Sequence, residues 1–281
     1  VQTMSDGEAS VLLDGLDVDI AVDLKGYTQD CRPELLARRF APLQVNYLGY
    51  PGTMGADFID YIIADAVTVP FDQQPFYTER IVHLPDCYQV NDRARRIGAH
   101  TPSRPEAGLP EDGLVFCCFN NTYKITAPVF DVWMRLLKAV PGSVLWLLGD
   151  NAGAQVNLRR EAQERNVDPT RLIFASRLKL EDHLARHRLA YLFLDTLPYN
   201  AHTTASDALW MGCPLVTRPG ETFVSRVAGS VLINAGMREL IADNPGDYER
   251  KVVELAISPG KLQDVRRRLR ESRDACPLFD T

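Results

Sequence analysis

Hydrophobic residues in this chain gather in short runs that recur along most of its length. The runs cover residues 19–24, 43–50, 61–66, 114–119, 143–149, 171–176, 191–196 and 213–218. Most of them are apolar throughout and do not alternate with polar residues, which is typical of parallel strands buried on both faces. The pattern therefore predicts a series of short strands in parallel sheets.

Helical spacing of apolar residues appears between several of these runs. In "APVFDVWMRLLKAV" (127–140) the apolar residues lie on one helical face, and "PGS" follows directly;. "AQVNLRREAQERN" (154–166) predicts a second helix with a largely polar face. From about residue 110 onward, strands and helices alternate, and this order predicts a doubly wound α/β domain.

The first hundred residues have the same character but fewer strands. We expect them to form part of a second α/β domain. Residues 101–113 contain three prolines within "TPSRPEAGLPEDG" and few apolar residues, which favours a linker;. The predicted architecture is a partial N-terminal Rossmann-like domain at 1–100, a linker at 101–113 and a C-terminal Rossmann-like domain at 114–281, with the two domains facing a cleft.

Charge and composition narrow the class of protein. The formal net charge of −6 argues against a general nucleic-acid binder, whose affinity would come from Lys and Arg contacts to phosphates;. The basic run "VRRRLRESR" (265–273) is therefore interpreted as the solvated face of a terminal helix;. None of the six cysteines forms a CxxC pair, so buried free thiols in a reducing compartment are favoured;.

Location and extent can also be predicted. No apolar run approaches the roughly 18–20 residues that a membrane span needs, and no signal-peptide pattern opens the chain. We expect a cytoplasmic protein that does not bind membranes. The chain starts at Val1 without an initiator Met, which suggests a segment of a longer polypeptide.

The most informative polar cluster lies in "PYNAHTTASDALWMGCPLV" (198–216), directly after an apolar run. One interpretation is structural, with Thr204 capping a helix and Asp207 in its first turn. The other is functional, with the free amide groups of the helix start binding an anion beside His202. Helix capping does not require His202, and its presence favours the second interpretation.

Two other clusters follow predicted strands. "FNNTYKI" (119–125) contains Lys124, which could offset charge on a leaving phosphate, and asparagines that could bind a sugar or phosphate;. "YLGYPGTMG" (47–55) predicts a tight loop, either a plain connection or a place where backbone approaches a ligand;.

Possible metal and nucleotide motifs are weak. His183 and His187 are four apart in "LKLEDHLARHR" (178–188) and could bind zinc, but without a third ligand nearby they are interpreted as a surface feature, or as one ring stacked on a ligand base;. The "DVD" at 17–19 is too short to indicate a divalent-ion site. The chain has neither GxGxxG nor GxxxxGK[ST];.

In their order and spacing these clusters resemble a known family. "DLKGYT", "LGYPGT", "FNNTYKI", "SVLWLL", "LFLDTLPYNAHTTASDALWMGCPLVTRPGETFVSRVAGS" and "PLFDT" together resemble the catalytic region of the O-linked N-acetylglucosamine transferases, in particular the bacterial members linked to tetratricopeptide repeats. The resemblance runs from about residue 15 to the end. It implies a GT-B-type fold and an inverting, metal-independent glycosyltransferase that needs no cofactor, with UDP-GlcNAc as donor and protein Ser or Thr as acceptor.

The resemblance also implies residue roles. Lys124 would stabilise the leaving UDP beside Asn121, and His202, Thr203 and Thr204 would hold the phosphates. His183 would stack on uracil near Arg186, and Asp207 would bind the ribose. Leu48, Gly49 and Tyr199 would contact the sugar.

Several alternatives stay open at this point. The donor could be another nucleotide sugar such as GDP-fucose, the protein could be a metal-free nucleotide-sugar epimerase, or it could be a binding module without catalysis. Family members carry tetratricopeptide repeats and further N-terminal units ahead of the matching region. The sequence names no general base, and we expect the repeats to lie in the parent protein.

Overall fold

A computed structural model of the protein describes residues 3–280, so Val1, Gln2 and Thr281, which ends the "PLFDT" motif, lie outside the description. The chain divides into two compact units. Unit 1 contains the residues up to Gln89 together with Thr222–Val224, and unit 2 contains Val90–Glu221 and the residues from Ser225 onward.

Unit 1 is built on one parallel sheet. Its elements are α1 (Asp6–Asp14), β1 (Ile20–Asp23), α2 (Pro33–Ala37), β2 (Leu43–Tyr47), β3 (Tyr61–Ala64) and β4 (Arg80–His83). The strands follow one another in the sheet in sequence order, β1-β2-β3-β4, and all neighbours are parallel. The register pairs Ile20 with Leu43 and Ile62 with Ile81.

The two faces of this sheet differ. On one face Ala21 packs with Leu36 of α2 and with Met54 and Ile59 from the loop between β2 and β3. On the other face, alternate strand residues stay exposed although they are apolar, namely Ile20, Val22, Leu43 and Val82. Side chains alternate between faces along a strand, so these residues lie on the side opposite the core.

Unit 2 holds a larger parallel sheet with helices between its strands. Its elements are β5 (Val115–Cys118), α3 (Ala127–Ala139), β6 (Val144–Leu148), α4 (Ala152–Glu164), β7 (Leu172–Ala175), α5 (Leu180–Arg186), β8 (Leu192–Leu194), α6 (Thr203–Trp210), β9 (Leu215–Val216), α7 (Val227–Asn234), α8 (Pro245–Ile257) and α9 (Pro259–Ser272).

The strand order of unit 2 is β7-β6-β5-β8-β9, with every neighbour parallel. The chain first winds outward from β5 to β7 and then returns to the other side through β8. Trp133, Trp146, Phe116 and Phe193 are fully buried around this sheet. The order reverses between β5 and β8, and such a switch point is where open α/β sheets bind ligands, beyond the carboxyl ends of the strands.

The predicted α/β class with parallel sheets is confirmed. Each of the eight predicted strand runs contains an observed strand, and β4 was not predicted. The helices predicted at 127–140 and 154–166 correspond to α3 and α4, and the basic run 265–273 lies largely in α9. The observed boundary between the units falls at Gln89–Val90.

Candidate functional site

A cavity of about 460 Å³ lies at the carboxyl ends of β5 and β8, at the switch point of unit 2. It brings together eight of the residues singled out in the sequence, which are Asn121, Lys124, His183, Arg186, Tyr199, His202, Thr203 and Thr204. They come from three separate connections, those after β5, β7 and β8. The topology thus collects clusters up to about 80 positions apart in sequence.

Lys124 ends a single 3₁₀ turn, Thr122–Lys124, which begins shortly after β5 ends at Cys118. Its side chain is almost fully buried, and Nζ donates a hydrogen bond to the carbonyl oxygen of Asn200 at 2.8 Å. The same Nζ lies 3.7 Å from the centre of the Tyr199 ring, a cation–π contact;. Burial lowers the pKa of Lys124 to about 8, against the opposing attraction of Asp195. The ammonium is therefore held in one place and is mostly charged at neutral pH.

Asp195, at the end of the β8 run, was not identified from the sequence. Its carboxylate is buried and accepts hydrogen bonds from the backbone N–H groups of Thr196 and Ala201 and from the hydroxyl of Thr217. Burial raises its pKa to about 7, while these hydrogen bonds and Lys124 work against the rise. Asp195 therefore fixes the conformation of the loop from 196 to 201. This loop places Tyr199 and Asn200 in contact with Lys124. An acidic residue closing an apolar strand was the available signal.

The start of α6 differs from the capping prediction. The N-cap residue is His202, whose side chain makes no capping hydrogen bond, so the structural interpretation with Thr204 as the cap was wrong. The hydroxyl of Thr204 instead donates to Oδ1 of Asn120 at 2.5 Å. Asp207 lies beyond the first turn. A helix start leaves N–H groups without intrahelical acceptors, and within residues 3–280 no acceptor is found for those of Thr203 and Thr204.

His183 and Arg186 form one wall of the cavity. Nη2 of Arg186 donates to Nδ1 of His183 at 2.5 Å, and Nη1 donates to the carbonyl oxygen of Ser176 at 2.7 Å. Because a guanidinium can only donate, Nδ1 is the acceptor and the ring proton lies on Nε2. Burial above all, with nearby positive charge, lowers the pKa of His183 to about 2, so the ring is neutral.

The interpretation of His183 and His187 as a surface pair was wrong. His187 is fully buried and its Nδ1 lies 2.8 Å from the carbonyl oxygen of His183, while the His183 side chain is only 14% exposed. The two rings contact each other edge to face and both pack against Phe119. The apolar surroundings of α5 bury the pair.

Asp207 lies beneath the cavity and not in its wall. Its Oδ1 accepts a hydrogen bond from Nη1 of Arg95 at 2.7 Å, and both side chains are less than 10% exposed. Its Oδ2 lies 3.9 Å from Nε2 of His183. Burial raises the pKa of Asp207 to about 6, and Arg95 opposes that rise. Arg95, missed in the sequence, also stacks over Trp210 and Phe279.

Leu48 and Gly49 lie in unit 1, at the carboxyl end of β2. Leu48 has a φ of +73°, unusual for a residue with a side chain, and N–H of Gly49 bonds to the carbonyl oxygen of Tyr47 at 2.9 Å;. A Cβ on Gly49 would lie 2.0 Å from the carbonyl oxygen of Leu24. The predicted tight loop is confirmed, and it requires glycine at 49.

Residues 3–280 lack two kinds of feature. No helix there is both long and apolar enough to cross a membrane. No cluster of three or more His, Cys, Asp or Glu side chains with the geometry of a metal site occurs within the same residues.

Comparison with known proteins gives consistent matches. The sequence pattern of glycosyl transferase family 41 matches residues 1–101 and 98–281. A probable UDP-N-acetylglucosamine--peptide N-acetylglucosaminyltransferase SEC from Arabidopsis thaliana is 39% identical over the whole chain, which spans 29% of that protein. A SPINDLY protein of Petunia hybrida, whose name carries the same probable activity, is 34% identical over 94% of the chain and 28% of its own length.

A solved structure agrees with these relatives. The structure of a mutant O-GlcNAc transferase of Thermobaculum terrenum superposes with a TM-score of 0.88 at 32% identity, covering 96% of this chain and 51% of that one. This likeness confirms the predicted fold class. Because the family pattern covers both units and the relatives exceed 30% identity over nearly all of the chain, the protein belongs to glycosyl transferase family 41.

Proposed function

We propose that the protein is the catalytic part of an inverting, metal-independent glycosyltransferase that moves N-acetylglucosamine from UDP-GlcNAc to Ser or Thr of proteins. The names of its relatives supply the donor and the peptide acceptor. The family resemblance implies inversion and metal independence, and the buried Lys124 ammonium in the cavity supports the second. We further propose that unit 2 binds most of the donor.

The observation that carries this proposal is the position of Lys124 beside the start of α6. Both line the same cavity, and Nζ of Lys124 bonds to Asn200, two residues before the N-cap. A helix start carries about half a positive charge and unpaired N–H donors. An ammonium and a helix start in one cavity match a diphosphate, whose oxygens are strong acceptors.

Breaking the bond between the sugar and UDP places negative charge on the diphosphate. Lys124 and the N–H groups of Thr203 and Thr204 are already in place before that charge develops, so little reorganisation is needed. Preorganised donors of this kind can each contribute about 3 kcal/mol to a transition state. The protein thus supplies by itself the electrostatic role that a divalent ion plays in other transferases.

The opposite wall of the cavity, formed by His183 and Arg186, has a flat neutral ring that can bind the nucleoside of the donor. His183 is a neutral ring held by Arg186, and its Nε2–H is directed to the side where Asp207 lies. A neutral imidazole can stack on a flat base without the cost of burying charge. We propose that His183 contacts uracil and that Asp207, ionised by Arg95, accepts from the ribose.

The remaining roles concern partners. The chain spans about 30% of the length of the curated relatives named above. We propose that tetratricopeptide repeats in the parent protein select acceptors, that the protein acts in the cytoplasm, and that its general base lies outside the residues described for unit 2.

The direct test is a transfer assay with UDP-GlcNAc and a Ser-containing peptide. We expect UDP release, a glycopeptide with the anomeric configuration inverted, and activity unchanged by a chelator such as EDTA. GDP-fucose in place of UDP-GlcNAc should give no transfer. Retention of configuration or loss of activity in EDTA would reject those parts of the proposal. Conversion of UDP-GlcNAc without acceptor to an epimer would reject transfer altogether.

A further inference from the structure

A second cavity in unit 2, of about 340 Å³, lies at the opposite end of α6 from the candidate donor site. Four arginines line it, Arg188, Arg266, Arg270 and Arg273, together with Trp210 at the last position of α6. It shares no lining residue with the donor cavity. The strip from Arg266 to Arg273 belongs to the basic run that the sequence suggested was merely solvated.

The arginines of this run divide into two groups. Arg267 and Arg268 point to carboxylates and form ion pairs with Asp264, Glu271 and Glu239. Among those that line the cavity, only Arg273 has an ion pair within the described chain, with Asp274.

The other three cavity arginines have no carboxylate partner within residues 3–280. Arg266 donates to the carbonyl oxygens of Ala190 and Tyr191, and Arg188 donates to the Thr101 hydroxyl. For Arg270 no hydrogen bond or ion pair is found with residues 3–280, and its side chain is exposed. Guanidinium groups remain charged throughout the physiological range, so this cavity concentrates positive charge that the fold does not neutralise.

Trp210 places an aromatic ring among these arginines. Only 7% of the residue is exposed, and it lines the cavity. Trp210 also lies between two guanidinium groups, with Arg95 at 4.8 Å and Arg273 at 4.7 Å from its ring centre. An acceptor-rich anion in the cavity would lie beside this ring and pair with the arginines around it.

We propose that this cavity is a second anion site, which binds a group of two or more linked phosphoryl units. Guanidinium forks bind phosphate oxygens in pairs, whereas a single carboxylate would leave most of the four arginines uncompensated. The volume lies near the lower end of small-molecule sites, which begin at about 300 Å³. Arg95 stacks on Trp210 and holds Asp207, so it connects this cavity to the floor of the donor site.

The test uses inorganic tripolyphosphate at constant ionic strength and the indole N–H resonances of the protein in ¹H–¹⁵N NMR spectra. The chain has three tryptophans, and Trp133 and Trp146, which do not line the cavity, serve as internal references. We expect a saturable shift of the Trp210 resonance alone. Arg270→Gln should raise the dissociation constant by about tenfold or more, since a charge-assisted hydrogen bond is lost.

Matched variants guard against general charge effects. Arg267→Gln removes a charge from the same helix but from a paired, exposed position, and it should change the constant less than twofold. Arg188→Gln provides a second cavity variant if Arg270→Gln were to misfold. The proposal is overturned if the Trp210 resonance does not respond, if Arg267→Gln weakens binding as much as the cavity variants do, or if tetraglutamate produces the same saturable shift.

Discussion

The sheet of unit 1 runs β1-β2-β3-β4, whereas the sheet of unit 2 runs β7-β6-β5-β8-β9. Within the described residues of unit 1, every connection moves the chain in the same direction across the sheet, so no two connections there diverge to form a crevice. In unit 2 the connections after β5 and β8 diverge, and the cavity with Lys124 lies between them. Strand order therefore accounts for the position of the cavity at the carboxyl edge of the unit 2 sheet;.

Both units bury charged side chains, but in different surroundings. Lys124, Asp195 and Asp207 are all buried in unit 2 next to the switch point. In unit 1, the buried carboxylate of Asp65 follows β3 and accepts hydrogen bonds from the backbone N–H groups of Thr68 and Tyr88. The carboxyl edge of the same sheet also has the tight turn with Leu48 at positive φ and Gly49 against Leu24. The buried carboxylates of unit 1 are satisfied by backbone N–H groups of its own loops, whereas unit 2 holds a buried ammonium at its cavity, as sites that bind an anion do;.

The largest expected effect is the loss of Arg95. In Arg95→Met the Asp207 carboxylate stays buried without its partner, and the free energy of unfolding should fall by about 3–5 kcal/mol at pH 7.5. The pKa of Asp207 is already raised by burial to about 6, and without Arg95 it should rise further. Because protonation then removes the buried charge, the deficit should shrink as pH falls from 7.5 to 5.5.

Urea unfolding at several pH values measures this deficit. Arg93→Met is the control, since Arg93 pairs with Asp280 at an exposed position and should cost at most about 1 kcal/mol;. A deficit that is the same at pH 5.5 and 7.5 would contradict the assignment of a buried, unpaired carboxylate.

Gly49→Ala tests the contribution of unit 1. Its Cβ would collide with a backbone oxygen, so we expect a loss of about 1–3 kcal/mol in stability while UDP affinity stays within twofold. Gly52→Ala is the matched control, because its Cβ would approach only the Tyr50 ring, at 3.6 Å. Thermal unfolding and calorimetric UDP titration read out the two quantities. A tenfold loss of UDP affinity in Gly49→Ala would mean that unit 1 holds the nucleotide as well.

The pH dependence of UDP affinity sharpens the role of the buried lysine. Burial lowers the pKa of Lys124 to about 8, so its charged form is present below that value and is lost above it. Affinity for UDP should fall as pH rises through 8, approaching about tenfold per pH unit. Titrations at pH 7, 8 and 9 measure the slope. Lys124→Met should abolish it, and an equal slope in that variant would assign the decline to another group.

The smallest effect is expected on the exposed apolar face of unit 1. Ile20 is 55% exposed whereas Leu192, on β8, is fully buried. Ile20→Ala should therefore change the free energy of unfolding by no more than about 0.5 kcal/mol. Leu192→Ala, the reference substitution in unit 2, should cost about 2–5 kcal/mol. A loss above 2 kcal/mol in Ile20→Ala would indicate that this face is covered in solution.

The sequence predicted the strands of unit 2 because each is an uninterrupted apolar run between turn residues. It missed β4, since "RIVH" is short and begins and ends with charged or polar residues. Lys124, His202 and Thr204 could be found because they directly follow strands. Arg95 and Asp195 could not, because their importance comes from burial and from partners distant in sequence. The capping error at Thr204 has the same cause, since its hydroxyl is taken by Asn120, 84 residues earlier.

The central claim is that the switch point of unit 2, through Lys124, binds the donor diphosphate. Calorimetric titration with UDP tests it directly in two variants, Lys124→Met and Lys25→Met. Lys25 is the matched control, since it follows β1 at the carboxyl edge of the other sheet and is exposed. We predict that Lys124→Met weakens UDP binding by about 30-fold or more and that Lys25→Met changes it less than twofold. Equal affinities in wild type and Lys124→Met, or an equal loss in both variants, would contradict the account.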